Sequence, residues 1–443
     1  MATRKAIRDL EQGTNYFFEF VKLQKHYFQH MGDWLRNIKD PRDINRILYG
    51  TDIITYTTIL KNVLDLRSMR SLSTGLNNEE CISNVKMALG LDQLSELPHY
   101  DTINDFLSRV EDSELEKIRT SMIKELLKKR CLEDYRIQDR YWGIIFDGTG
   151  LFSFKEKHCE HCLKREHTNK ETGITTTTYM HHVLEAKLVI GDMVFSIGSE
   201  FIENESEDVT KQDCELKAFS RLATKIKSEF SRLPICVQGD SLYACETVFE
   251  ICDRYDWKYL MRFKEGRIKS IADEFAAIKK IQGKEDKLID IITYESTSFV
   301  NGISYRKRTV NVFEANLVDK NMQEKHYTFI TNLMVSKKNV KLLVHVGRSR
   351  WKIENEGFNT QKKLRYAIEH VNCECYQAMK NHYLLTQIAD ILMQLFENGT
   401  KMLKYLKKTA KEMSSNLFEA IRTRRITDED TSFWKIPYQV RFT

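Results

Sequence analysis

Proline is scarce, with 4 in 443 residues, and no hydrophobic run approaches the roughly 20 residues that span a bilayer. Membrane insertion is set aside on that ground. The opening Met1-Ala2-Thr3-Arg4-Lys5 leads into no apolar signal core. The ten cysteines, scattered through a large chain, are therefore expected as reduced thiols in a cytoplasm and not as a disulfide frame. Internal repeats and low-complexity tracts are also lacking. Charge of one sign is only slightly in excess, at +6, so composition alone does not single out a nucleic-acid binder.

What is present is ordinary globular composition, 42% hydrophobic and 30% charged, in a chain too long for one typical domain. The charge is unevenly placed. Residues 401–425 hold Lys401, Lys404, Lys407, Lys408, Lys411, Arg422, Arg424 and Arg425 against Glu412 and Glu419, a local balance of +6. The whole surplus can be assigned to that segment.

Residues 1–135 read as helical, interrupted only by Pro41 and Pro98. Around Leu97-Pro98-His99-Tyr100-Asp101-Thr102, proline stops one helix and Asp or Thr can cap the next. Either a DNA-binding helix-turn-helix or a plain helical hairpin fits. From Tyr141 the pattern turns to short strands: 142–147, then a hairpin of 182–190 and 193–197 about Gly191-Asp192. A helix follows over about 211–232, with Phe219, Leu222, Ala223, Ile226 and Phe230 on one stripe. The strand 235–240, a helix near 246–255 and a strand at 259–263 continue the alternation. Three antiparallel strands followed by strand-helix alternation suit an α/β, ribonuclease-H-like core. Strands are expected at 286–298, 309–316 and 326–335, with Asn301-Gly302 as a turn signal. The resulting division is a helical, DNA-binding N-terminal region over 1–135, core over 136–264, a β-rich insertion over 265–335, core again over 336–398, and a basic, helical C-terminal region over 399–443.

Carboxylates at the ends of buried runs carry the chemistry. Asp147 follows Trp142-Gly143-Ile144-Ile145-Phe146, and Asp240 follows Ile235-Cys236-Val237-Gln238-Gly239. Such runs deliver side chains to the sheet edge, where α/β folds place their sites. A glutamate from the helical stretch Arg350-Trp351-Lys352-Ile353-Glu354-Asn355-Glu356 would complete a cage of hard oxygens for two Mg²⁺ or Mn²⁺ ions, as used in phosphoryl transfer. Glu354 is preferred as the third carboxylate. Glu356, about 200° further around an α-helix, cannot face the same ions, and Ser336 is expected to cap that helix.

The segment His158-Cys159-Glu160-His161-Cys162 has a Cys-x2-Cys knuckle, with His167, His181 and His182 beyond it. Within the loop 155–182, tetrahedral Zn²⁺ could be held by Cys159, Cys162, His167 and one of His181 or His182, with His182 standing as the fourth ligand. The alternative is free thiols on a loop.

Arg350 and Glu354, followed by Asn355-Glu356-Gly357-Phe358-Asn359-Thr360-Gln361-Lys362, resemble the Tyr-x2-Arg-x3-Glu-x6-Lys signature of DDE transposases of bacterial insertion sequences, the insertion-sequence-four-like group. Gly347 stands at the Tyr position and Gln361 at the Lys position, with Lys362 one step later. The resemblance extends through Phe146-Asp147-Gly148-Thr149-Gly150, Cys159-x2-Cys162-Leu163, Lys211-Gln212-Asp213-Cys214-Glu215 and Gly239-Asp240-Ser241-Leu242-Tyr243. It implies that Asp147, Asp240 and Glu354 are the catalytic triad and that Arg350 contacts DNA phosphate, with Lys362 approaching the same backbone. It also implies an N-terminal region that touches transposon ends, a homodimer in a synaptic complex, and a nucleoid-associated protein whose partners are terminal inverted repeats and target DNA. Lys404, Lys407, Lys408 and Lys411 are the further candidates for DNA contact. A domesticated DNA-binding regulator, and a metal-dependent nuclease without strand transfer, are the alternatives.

Overall fold

The structure, a computed structural model, describes residues 13–130, 132–206, 209–282, 294–318, 323–399, 406, 408–432 and 434. The chain divides into a unit of residues 1–131 with 358–443 and a unit of residues 132–357.

The first unit is helical. At its centre lies the helix Tyr376–Gly399, buried all round from Asn381 to Phe396. Helices Thr51–Val63, Tyr100–Arg109 and Asp112–Lys128 pack against it. Tyr100–Arg109 begins after Pro98, but its cap is His99, whose ring accepts from Asp101 N at 3.4 Å. At its far end the Asn381 amide donates to the carbonyls of Leu107 and Val110, both at 2.8 Å, satisfying groups that a helix end leaves open. The apolar residues Ile103, Phe106 and Leu107 are buried within this bundle.

The second unit is built on a mixed sheet of nine strands. These are β1 Trp142–Phe154, β2 Leu163–Thr168, β3 Thr175–Ile190, β4 Met193–Ile202, β5 Ile235–Gly239, β6 Lys258–Arg262, β7 Tyr294–Tyr305, β8 Arg308–Val318 and β9 Glu324–Thr331. Along the sheet they run β2-β3-β1-β5-β6-β9-β8-β7, with β4 also on β3. β1 is antiparallel to β3 and parallel to β5, and β5 is parallel to β6. The β3–β4 hairpin turns at Gly191, whose φ of 58° suits glycine. The expected stripe of helix Glu215–Glu229 is buried, and Phe219 meets Phe146 of β1 edge-on at 4.8 Å.

Three expectations change. The strands β7 to β9 do not stand apart as an insertion of their own, because β9 pairs antiparallel with β6 and extends the same sheet. Residues 286–293 of the first expected strand lie outside the described residues. Asn301-Gly302 is not the hairpin turn but an irregularity within β7: Asn301 exchanges hydrogen bonds with the backbone of Val335, at 2.8 and 3.1 Å, and Gly302 N donates to Asn311 Oδ1. The turn falls at Arg306, with φ 53°. Finally, the helix expected to carry Glu354 from Ser336 onward is broken into the α-helix Val340–Arg348, which begins after Asn339 without a side-chain cap, and a π-helical element Ile353–Leu364.

Candidate active site

Asp147 lies within β1 and not at its end, since the strand continues to Phe154. Its position is nonetheless special. Parallel pairing of β1 with β5 stops at Ile145 and Gln238, so the two strands part just before Asp147 and Asp240. Asp240 follows the last residue of β5 and accepts from Leu242 N at 2.7 Å, which folds the turn beneath it.

Glu354 is brought in by the start of the π-helical element. Ser349 anchors the entry by donating to Gln238 Oε1 at 3.2 Å. Arg350 Nη1 then donates to Asp147 Oδ2 at 3.3 Å and to Glu354 Oε1 at 2.8 Å. One guanidinium thus joins two carboxylates that are remote in sequence. π-Helical backbone is rare and is frequently found at functional sites. Glu356 Oε2 is buried without a hydrogen-bond partner among the described residues.

Burial pushes the Asp147 carboxyl up to about 7, against the pull of Arg350 and with added repulsion from Glu215, Glu354 and Asp240. Like charges crowded in a half-dry site make the protonated form competitive. Such perturbed groups cluster where chemistry is done.

Glu215 was not anticipated as part of this cluster. It stands in the first turn of its helix and accepts a hydrogen bond from the buried Tyr243 hydroxyl. Burial raises its pKa, the Tyr243 bond opposes this, and Asp240 adds to it. A Cβ on Gly148 would lie 2.8 Å from Glu215 Oε2, so glycine after Asp147 is what admits the fourth carboxylate. The signal available in the sequence was the quoted Lys211-Gln212-Asp213-Cys214-Glu215 segment beside Asp147-Gly148.

Two further arginines meet at one ring. Arg262, at the end of β6, stacks 4.6 Å over the Tyr327 ring, and Arg348 lies 5.6 Å from the same ring. Burial lowers the Arg262 pKa, and the charge of Arg350 lowers it further.

The two departures from the signature have packing causes. A Cβ at Gly347 would meet the Phe329 ring at 2.5 Å. Gln361 is wholly buried and its amide donates to Gln387 Oε1 and Asp390 Oδ2 at 3.0 and 2.8 Å. Gln361 belongs to a core, and Gly347, half-buried, packs closely against Phe329. Lys362, in the helical unit, pairs with Glu369 at 2.8 Å.

Of the basic segment, Lys404 and Lys407 lie outside the described residues. Lys411 is exposed in the first turn of helix Ala410–Thr423, and Lys408 just precedes its cap Thr409. Arg424 donates to Thr14 O at 3.0 Å, and Arg425 pairs with Glu79 at 2.9 Å. These two arginines tie the helical unit together, so the surplus charge is not all on one open face.

The cysteine knuckle forms at the β1–β2 connection. Cys159 and Cys162 converge on His181, while His182 takes the adjacent register position opposite Gly150, and His167 is exposed on β2 opposite Thr176. His167 and His182 are therefore not gathered with the two thiols.

No family model matches the chain, and no curated protein does. Among solved structures, the cryo-EM structure of the piggyBac transposase synaptic complex with hairpin DNA aligns with a TM-score of 0.38 and 8% sequence identity, over 95% of this chain and 85% of that one.

Proposed function

We propose that this chain is a DNA transposase with a ribonuclease-H-like core, cutting one strand at each end of an insertion sequence and joining the freed 3′-OH to target DNA. The observation that carries the reading is that Asp147 and Glu354 share the Arg350 guanidinium, with Asp240 near enough to raise the Asp147 pKa. Support for the core comes from β1, β3 and β4 running antiparallel and being followed by alternating helices and parallel strands β5 and β6.

The donor set consists of carboxylate oxygens, which suits Mg²⁺ or Mn²⁺, and a guanidinium already seated between two of them marks the place as one for positive charge. Two such ions held by Asp147, Asp240 and Glu354 supply, when bound, activation of the attacking oxygen and neutralisation of the departing one. The protein needs no nucleophile of its own, because water attacks first and the 3′-OH second. Arg350, released from the carboxylates, can hold a phosphate through paired hydrogen bonds. Lys362, Lys404, Lys407, Lys408 and Lys411 are assigned to the DNA backbone. A homodimer would hold both ends.

The test uses linear DNA carrying the sequences that flank the reading frame, the full chain and Mg²⁺. Nicks at the borders of inverted repeats, followed by joined products, are expected. Nicks without joining would leave a nuclease. Binding without either would leave a DNA-binding regulator.

A further inference from the structure

We propose that His158, Cys159, Cys162 and His181 form a closed, tetrahedral zinc site that fastens the β1–β2 connection onto β3. The site goes beyond the transposase reading and does not depend on it.

The geometry is that of a metal tetrahedron. With Zn–S of about 2.3 Å and Zn–N of about 2.0–2.1 Å, tetrahedral angles put two sulfurs about 3.8 Å apart and sulfur about 3.5 Å from nitrogen. Here Cys159 Sγ and Cys162 Sγ are 3.8 Å apart, and His181 Nε2 lies 3.5 Å from the first and 3.4 Å from the second. A sulfur separation near 2.05 Å would be needed for a disulfide, so the pair is not one. Ligand atoms of His158, Cys159 and His181 all lie within 4.8 Å of one another, which brings a second imidazole beside Cys159 and His181.

Local structure explains the convergence. Cys162 N donates to Cys159 O at 3.4 Å, closing the turn that aims both thiols the same way. His158 stacks on Phe154 at 4.5 Å, and its Nδ1 is buried with no hydrogen-bond partner among the described residues. His181 is fully buried and comes from β3 opposite Phe152. Successive strand residues face opposite sides, which is why His181 enters the site and His182 does not. His161, between the cysteines, turns to Asn204 O at 2.9 Å, and the Asn204 amide donates to Cys162 O, also at 2.9 Å. The backbone of the knuckle is therefore held from the segment just after β4 as well.

Chemistry selects the ion and the role. Two thiolates and two neutral imidazoles balance the charge of one Zn²⁺ and complete four-coordination, the mark of a structural site with no position left for substrate. Phe152 is five residues beyond Asp147 on β1, roughly 17 Å along an extended strand. The zinc would secure the sheet extension without entering the carboxylate chemistry.

The experiment is metal analysis of the full chain purified without a histidine tag. About one zinc per chain is expected, lost in Cys159→Ser, Cys162→Ser and His181→Asn and kept in His167→Ala and His182→Ala. For variants that fail to fold, metal-stripped wild-type protein is titrated with Co²⁺. The visible bands of tetrahedral cobalt and a thiolate-to-cobalt band should appear together, and only Cys159 and Cys162 should become protected from alkylation. Zinc-free wild-type protein that also fails to give these cobalt bands would overturn the site. Loss of zinc from the His182 or His167 variant would overturn the ligand set.

Discussion

Arg350 Nη1 lies 3.3 Å from Asp147 Oδ2, joining residues 203 positions apart in the chain. The same nitrogen is 2.8 Å from Glu354 Oε1, so the guanidinium occupies the middle of the carboxylates as a counter-ion. Removing it in Arg350→Ala leaves like charges facing each other and should lower stability at pH 8 by about 1–3 kcal/mol. Mn²⁺ should then raise the Tm of the variant more than that of the wild type, since it no longer competes with a resident cation. Equal shifts would mean that Arg350 and the metal do not share a place.

Binding of a divalent cation to the site should depend on pH in a definite direction. Asp147, pushed up to about 7 by burial and by Glu215, Glu354 and Asp240 despite Arg350, carries a proton below that pH which a metal must displace. Mn²⁺ affinity should weaken by about tenfold for each pH unit below 7 and level off above it. Titration calorimetry across this range checks the slope. Affinity independent of pH would remove Asp147 from the ligand set.

In the helical unit, His382 is buried and bonded to Asn104 Oδ1 at 2.9 Å. Burial, with the charge of Lys61 adding to it, lowers its pKa to about 3. Below the ordinary histidine value of about 6.5, the unfolded chain takes up a proton that the folded chain refuses. Stability should therefore fall with falling pH, by about 1.4 kcal/mol per pH unit. His382→Gln, which can keep the bond to Asn104, should flatten this acid limb in denaturant melts at several pH values. An unchanged slope would assign acid sensitivity to other groups.

Gly347 illustrates how packing removes a residue from a signature. Its Cβ would stand 2.5 Å from the Phe329 ring, so Gly347→Ala should cost about 1–3 kcal/mol, and Gly347→Tyr should cost more. Pairing Gly347→Ala with Phe329→Leu should recover part of the loss. Wild-type stability in Gly347→Ala would contradict the close approach.

Much of this site was legible because buried strands announce themselves. The runs before Asp147 and Asp240 are short, apolar and closed by polar residues, and the stripe from Phe219 to Phe230 has the period of one helix face. What stayed hidden depends on contacts between distant segments. Whether His181 or His182 joins the cysteines is a question of strand register, which no local pattern around Cys159 supplies. The π-helical turn at Glu354 follows residues whose spacing fits an α-helix equally well. Glu215 reads locally as an acidic residue at a helix start, and only the missing side chain of Gly148 lets it reach Asp147. Asn301-Gly302 has turn chemistry, yet Asn301 spends its amide on Val335. The joining of β9 to β6 is equally a matter of tertiary pairing.

The central claim is tested most directly by comparing Mg²⁺-dependent cleavage of the flanking DNA by the wild-type chain with that by Asp147→Ala, Asp240→Ala and Glu354→Ala, each first shown to be folded and to bind DNA. If these carboxylates hold the ions for phosphoryl transfer, each variant should lose about a thousandfold or more in cleavage rate while keeping most of its DNA affinity, and Glu356→Ala should be milder. Cleavage at the wild-type rate by any of the three, or by the wild type with all divalent metal chelated, would contradict the account.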